Sequence, residues 1–211
     1  MMTTKERITE EALTLFSEKG YKGTGVRDIA AAVGIKDASL YKHVKSTEEI
    51  FNAIVARISH HIGNLSQRLG MPSDDADWGE AAIFYEKLDL PALTDLSRKA
   101  FLFYHTDPYI SRFWKLAHME QYRHPAIYEM FHRIFMEDAI AYQTRLFAEM
   151  MDRGVFQKGD PQAAAFHFYA PIFLLLNMYA EKKGADEEAL ALLDKQIAEF
   201  HRLYRADKGK P

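Results

Sequence analysis

Cysteine is absent from the 211 residues, which excludes a disulfide framework and any thiolate-ligated metal centre. A glycine-rich phosphate loop and a nucleophile elbow are missing as well, so no enzyme activity, catalytic residue or cofactor is expected. The opening MMTTKERITEEALTLF has charges scattered among its apolar residues instead of the unbroken apolar run of a secretion signal, and a cytoplasmic protein is expected. No strand-like alternation, internal repeat or low-complexity tract is present, which leaves an all-α chain. Residues 161–180 carry no charge and are long enough to span a bilayer. Gln162, His167, Pro171 and Asn177 interrupt them and no Lys/Arg cluster precedes them, so the stretch is read as a helix covered on every side, with no membrane partner.

What is present is the composition of an ordinary folded protein, with 48% hydrophobic and 27% charged residues and a formal charge of −3. The chain can therefore bury one large core or two smaller ones. Charge is unevenly placed: between Lys19 and Lys45 there are six basic residues (19, 22, 27, 36, 42, 45) and two acidic ones (28, 37), a local +4. A basic patch on an acidic chain localises attraction to phosphate and favours a docked geometry.

The same stretch has the spacing of two short helices around a glycine turn. Val26, Ile29, Ala30 and Val33 repeat at three, four and seven and place one apolar stripe on a helix of about three turns. Gly34 follows directly, the residue that enters a left-handed stop without a Cβ clash. Asp37 is the expected N-cap of the next helix, Ala38 to about Val44, which buries Leu40 and Val44. Lys36, Ser39, Tyr41, Lys42, His43 and Lys45 are left on or beside its other faces. Such a helix offers donors to base edges and phosphates in a major groove. Ser46 to Glu49 then reads as a capping box that starts a long helix.

These residues resemble the TetR-type transcriptional regulators, closely from Arg7 to Ile58 through Ala12 to Phe16, Gly20-Tyr21, Val26 to Gly34, Ser39-Leu40-Tyr41, His43, Lys45 and Glu49. Beyond that span the likeness is architectural. Gly25 departs from the family, which usually has there a Ser or Thr that caps the first helix of the pair and touches a phosphate; Thr24 stands beside it as the substitute. The resemblance implies a homodimer gripping a palindromic operator in double-stranded DNA, with recognition helices about 34–36 Å apart. Lys36, Ser39 and Lys42 are then candidates for base or mixed contacts, and Thr24, Tyr41, His43 and Lys45 for phosphates. A helix-turn-helix domain at 1–50, a helical effector-binding and dimerisation domain at 51–205 and a tail at 206–211 follow.

The remaining helices are expected at about Thr4–Lys19, Thr47–Leu69, Trp78–Leu88, Ala92–His105, Asp107–Tyr122, Pro125–Arg153, Pro161–Lys182 and Asp186–Tyr204, with an acidic loop at 74–77. The middle ones are rich in aromatics, and the family implies a pocket there for a small hydrophobic or aromatic effector. The lining candidates are Phe84, Phe101, Tyr104, His105, Trp114, His118, Gln121, Tyr122, His167 and Asn177. Methionines at 119, 130, 136, 150, 151 and 178 suit a deformable pocket and equally an ordinary core. The dimer is expected through the helices near 125–153 and 161–182. Release of a repressor by ligand is implied by the family, through movement of the fourth helix. A helical small-molecule-binding protein or enzyme with a vestigial reader is the alternative. No metal site is expected: His60 and His61 point to different faces, and Glu120 and His124 straddle a break. The pairs Glu48-Glu49 and Glu187-Glu188 complement helix dipoles.

Overall fold

Eleven α-helices are formed among the described residues of the computed structural model, which are 2–72, 77–180, 182, 184 and 186–206. In chain order they are α1 (Thr4–Lys19), α2 (Val26–Val33), α3 (Asp37–Leu40), α4 (Thr47–Arg68), α5 (Trp78–Glu86), α6 (Leu90–Thr106), α7 (Pro108–Glu120), α8 (Pro125–His132), α9 (Asp138–Asp152), α10 (Pro161–Tyr179) and α11 (Asp186–Tyr204). The all-α expectation holds: no strand forms among these residues, and one antiparallel bridge joins Phe156 to Arg205. Most of the expected loop at 74–77 and the tail beyond Ala206 lie outside the described residues.

Helix starts are set by short polar side chains that accept the unpaired N–H groups of a first turn. Thr3 Oγ1 takes the Glu6 N–H at 3.2 Å while Glu6 returns to the Thr3 N–H at 2.7 Å, a complete capping box. Asp77 caps α5 through Gly79 and Glu80, Asp89 caps α6 through Ala92, and Asp160 caps α10 through Ala163. Asp77, the last residue of the expected acidic loop, is thus a helix cap.

The single helix expected from Pro125 to Arg153 is two α-helices joined by a π turn, Arg133–Glu137. One wide turn leaves a main-chain carbonyl outside the regular ladder. The Tyr169 hydroxyl, from α10, donates to the Phe135 carbonyl at 2.6 Å. Burial pushes the Tyr169 phenol well above its usual range, so it stays a donor.

Contacts divide the chain into two compact units: Met1–Ile62 with Pro108–Arg133, and Gly63–Asp107 with Ile134–Pro211. The division differs from the expected boundary at residue 50 because α7 packs on α1, joining a later helix to the N-terminal ones. In this first unit Glu10 gathers Arg57 at 3.1 Å and Arg112, and Arg57 lies 4.8 Å over the Tyr109 ring. Ile8, Ala12, Phe16, Ile29, Val33, Leu40, Phe51 and Ile54 close its core.

The second unit has an aromatic and sulfur-rich core. Leu146, Phe147, Met150 and Met151 of α9 meet Ala81 and Ala82 of α5, Ala164 and Ala165 of α10, and Phe200 of α11, with Phe156 between them. Small alanines opposite large rings let the helices approach closely. Here Met150 and Met151 are core filling, as methionine often is.

Leu146, Phe147, Met150 and Met151 of α9 are taken up by this core. The last two helices carry exposed apolar side chains: Phe166, Leu174 and Met178 on α10, Leu192 and Leu203 on α11. Residues 166, 170, 174 and 178 recur every fourth position, so they form one stripe. No described helix is long and apolar enough to cross a membrane.

Candidate nucleic-acid interface

The reader is built from α2, α3 and the turns around them. Gly25 precedes α2 in extended conformation, and Asp28 accepts its N–H at 2.8 Å. That is the acidic half of a capping box; glycine has no side chain for the other half. Gly34 ends α2 at φ +76°, in the left-handed region, as its position after Val33 requires. Leu40 and Val44 are buried behind the outward segment.

The second helix is shorter than its apolar spacing indicates. It covers Asp37–Leu40, and the chain continues in tight turns, with Lys42 N–H on the Ser39 carbonyl at 3.2 Å and His43 N–H on Leu40 at 2.9 Å. The cause lies in the following helix. Ser46 accepts the Glu49 N–H at 3.1 Å, and Glu49 takes the Lys45 N–H at 2.8 Å, so that donor is not available to extend α3. This bond and the Lys5 ammonium hold the exposed Glu49 carboxyl below its usual range. Asp37 is not the N-cap either. Lys36 occupies that position without a side-chain bond, and Asp37 pairs with Arg27 at 3.4 Å.

Lys36, Tyr41, Lys42, His43 and Lys45 are exposed and Ser39 is half-buried, so the structure gathers these six on one segment. Thr24 does not join them. It is buried, and its hydroxyl donates to the Gly20 carbonyl at 3.1 Å, which removes it as the substitute for the missing hydroxyl at 25. Arg27 is the residue the sequence reading left out. Its side chain is 92% exposed in the first turn of α2, where helices favour acids. A base at that unfavourable position was the available signal.

The Gly20–Gly25 turn is anchored from behind. Buried Glu120 accepts the Tyr21 N–H at 3.2 Å, and the Tyr21 ring meets His124 edge-on at 4.5 Å and Phe16 at 5.0 Å. Gly20, at φ +81°, leaves room for this carboxylate, since a Cβ there would lie 2.6 Å from Glu120 Oε1.

The ten effector candidates fall in both units. Trp114, His118, Gln121 and Tyr122 belong to the first unit. There His118 Nδ1 bonds the Trp114 carbonyl at 2.8 Å, and Tyr122 is 88% exposed. The other six belong to the second unit. Phe101 is buried and stacks on His105, His105 Nε2 pairs with Asp186 at 3.0 Å, and Tyr104 meets the Phe135 ring edge. Phe84 lies edge-on to Tyr85 at 5.1 Å, and Asn177 donates to the Phe173 carbonyl of its own helix. His167 is exposed and bonds the Tyr204 hydroxyl. An open groove in this unit, about 380 Å³, is lined by Pro171, Leu174, Leu175, Met178, Leu192, Lys195 and Gln196. Sequence spacing cannot separate an aromatic that lines a void from one that fills it; of the ten, Phe101 and Trp114 are buried. Among the described residues no three His, Asp or Glu are grouped to hold a metal.

The model of the family described as bacterial regulatory proteins, tetR family, matches residues 8–54. This segment is a tetR-family domain. Over 61 residues the chain is 46% identical to the biofilm operon icaADBC HTH-type negative transcriptional regulator IcaR of Staphylococcus aureus (strain Newman), covering 29% of this chain. A protein of the same description from Staphylococcus epidermidis is 53% identical over 51 residues, 24% of this chain and 28% of that one. The chain thus spans about a third of the length of the curated relatives it matches, 33% for the first. The fold is shared over nearly the whole length with solved structures. A putative TetR-family transcriptional regulator from Mesorhizobium loti aligns with a TM-score of 0.70 at 20% identity, over 96% of this chain and 97% of that one. SmeT in its triclosan complex aligns with 0.70 at 22% identity, over 98% and 94%. Around the tetR-family domain these likenesses speak to fold alone.

Proposed function

We propose that the chain is a cytoplasmic, homodimeric DNA-binding transcriptional regulator, a repressor released from a palindromic operator by a small hydrophobic or aromatic effector. The observation that carries this reading is the outward segment of the tetR-family domain. Exposed Lys36, Tyr41, Lys42, His43 and Lys45 and half-buried Ser39 lie on one short segment around buried Leu40 and Val44, with Arg27 joined to it through Asp37. Donors so placed fit phosphates and base edges. The repressor sense is supported by the matched relative, whose name describes a negative transcriptional regulator. The effector class is supported by the aromatic second unit and by structural neighbours described as a triclosan complex and as a flavonoid-responsive regulator.

The apolar stripe on α10 and the exposed leucines of α11 support a dimer through the last two helices, since exposed contiguous apolar surface marks an interface. Two readers related by a twofold axis then require a palindrome.

The test is selection of the purified protein against randomised double-stranded DNA at near-physiological salt, with Tyr41→Ala alongside. Enrichment of a palindrome by the parent, weakened in the variant, is the expected result. A folded dimer that enriches nothing, with or without triclosan, rejects the reading.

A further inference from the structure

Beside the reader, in the same unit, lies a second exposed surface that the helix-turn-helix does not use. The α7–α8 turn, Gln121 to His124, is rigidly made: Gln121 N–H bonds the Ala117 carbonyl at 2.8 Å, and both Arg123 and His124 N–H groups bond the Glu120 carbonyl at 2.8 and 2.9 Å. Pro125 then sets the start of α8. From this turn Tyr122 projects 88% exposed with Arg123 exposed next to it. Neither side chain forms a hydrogen bond or ion pair with the described residues. A tyrosine held so far into water on a well-ordered turn, next to an arginine, has the composition of a recognition surface.

Its position is fixed by Tyr21. Through the Glu120–Tyr21 bond and the Tyr21–His124 ring contact, the α7–α8 turn adjoins the Gly20–Gly25 turn. That turn carries exposed Lys22, follows exposed Lys19 at the end of α1, and leads directly into the N-terminus of α2. Three cations and a phenol therefore lie around two adjoining turns, the first of which leads into α2. The acids nearby are few: Glu18 on α1; Asp28, engaged with the Gly25 N–H; and Glu48, whose charge reaches Tyr21 from α4. Arginine, lysine and tyrosine hydroxyls are the usual donors to nucleic-acid phosphates, and these contacts position without reading sequence.

We propose that Tyr122 and Arg123, with Lys22, form an auxiliary contact to the phosphate backbone of double-stranded DNA outside the half-site read by α3. The proposal rests on the reading of the tetR-family domain as a DNA binder, and it also accounts for how the chain manages without the phosphate-binding hydroxyl at Gly25. Each neutralised phosphate adds about 0.9 to the dependence of log K on log salt for duplex DNA.

The experiment measures that slope with the full-length protein on the DNA enriched by selection, in a long duplex and in one trimmed at the half-site edges. Parent, Arg123→Ala, Arg123→Glu and Lys45→Ala are compared, with thermal unfolding to verify that each is folded. Arg123→Ala lowers the slope by about one on the long duplex with unchanged sequence preference, and Arg123→Glu lowers it further. Trimming lowers the slope of the parent by the contributions of Arg123 and Lys22 together, and that of Arg123→Ala by the remaining Lys22 contribution alone. A slope that drops for Lys45→Ala but not for either Arg123 variant overturns the auxiliary contact while keeping the reader, and assigns the surface to a protein partner instead. A parent with no DNA affinity overturns both.

Discussion

In the unit that holds the tetR-family domain, the two most exposed aromatics, Tyr41 and Tyr122, carry hydroxyls and stand among lysines and arginines. In the other unit the most exposed large hydrophobic side chains are Leu174, Phe166, Leu203 and Met178, with no polar group of their own. The first surface suits a wet, anionic partner, whose water and counterions are exchanged for charged contacts. The second suits another apolar protein face, because nothing but burial satisfies it. Inside, the difference reverses. The first unit ties buried Glu120 and half-buried Glu10 to specific donors, whereas the second closes around rings and methionines.

The largest effect separating the two units is expected in the second core. Phe147 is buried against the rings of Phe156, Phe168 and Phe200, at 5.1, 5.7 and 5.4 Å. Phe147→Ala should lose about 3–5 kcal/mol in urea unfolding. A loss below about 1 kcal/mol would show these rings bordering a relaxed cavity and would return the effector pocket to this place.

Next comes the backbone of the reader's turn. A methyl at Gly23 would fall 2.2 Å from the Lys19 carbonyl oxygen, so Gly23→Ala requires the turn to shift. About 1–3 kcal/mol is expected, with weakened DNA binding at temperatures where the fold persists. A variant as stable as the parent would mean that the turn is looser than its hydrogen bonds indicate.

Tyr169→Phe tests the π turn. Without the hydroxyl the Tyr169–Phe135 hydrogen bond is lost, at a cost of about 1 kcal/mol and with faster amide exchange across 133–137. Exchange unchanged there would assign the turn to packing alone.

The smallest effect is one of pH. Glu49 has its carboxyl lowered in the folded state by the Lys45 N–H and by Lys5. A depressed folded pKa contributes stability above the unfolded value, and that contribution is lost as pH falls through the folded one. The α3–α4 junction should therefore loosen below about pH 4.5, the ordinary value of the group, and Glu49→Gln should remove that dependence. NMR of the Lys45 amide follows it, and an amide shift that titrates equally in the variant would exclude Glu49.

Much of the tetR-family domain was legible because its signals are local. Gly34 after Val33, the Ser46 cap on the Glu49 N–H and the Ile29/Val33 stripe each act within one turn, and each holds in the structure, while the Glu49 carboxylate reaches one residue further back, to the Lys45 N–H. The errors there were also local competitions: Asp37 was a plausible cap, yet Lys36 holds that position, and the next helix took the Lys45 N–H that a longer α3 needed. Thr24 was misread because exposure of a single hydroxyl is not encoded in spacing.

By itself the sequence determined the helix periods, the glycine stops, the basic stretch from Lys19 to Lys45 and the absence of thiol chemistry, since all of these depend on neighbours along the chain. Only the tertiary structure decided that α7 joins the reader's unit, that Tyr122 stands in water while Phe101 does not, that Tyr169 reaches the Phe135 carbonyl, and that the open apolar stripe lies on α10 and α11. These depend on which helix faces meet across long sequence separations. An apolar residue carries the same period whether its face is covered or left open.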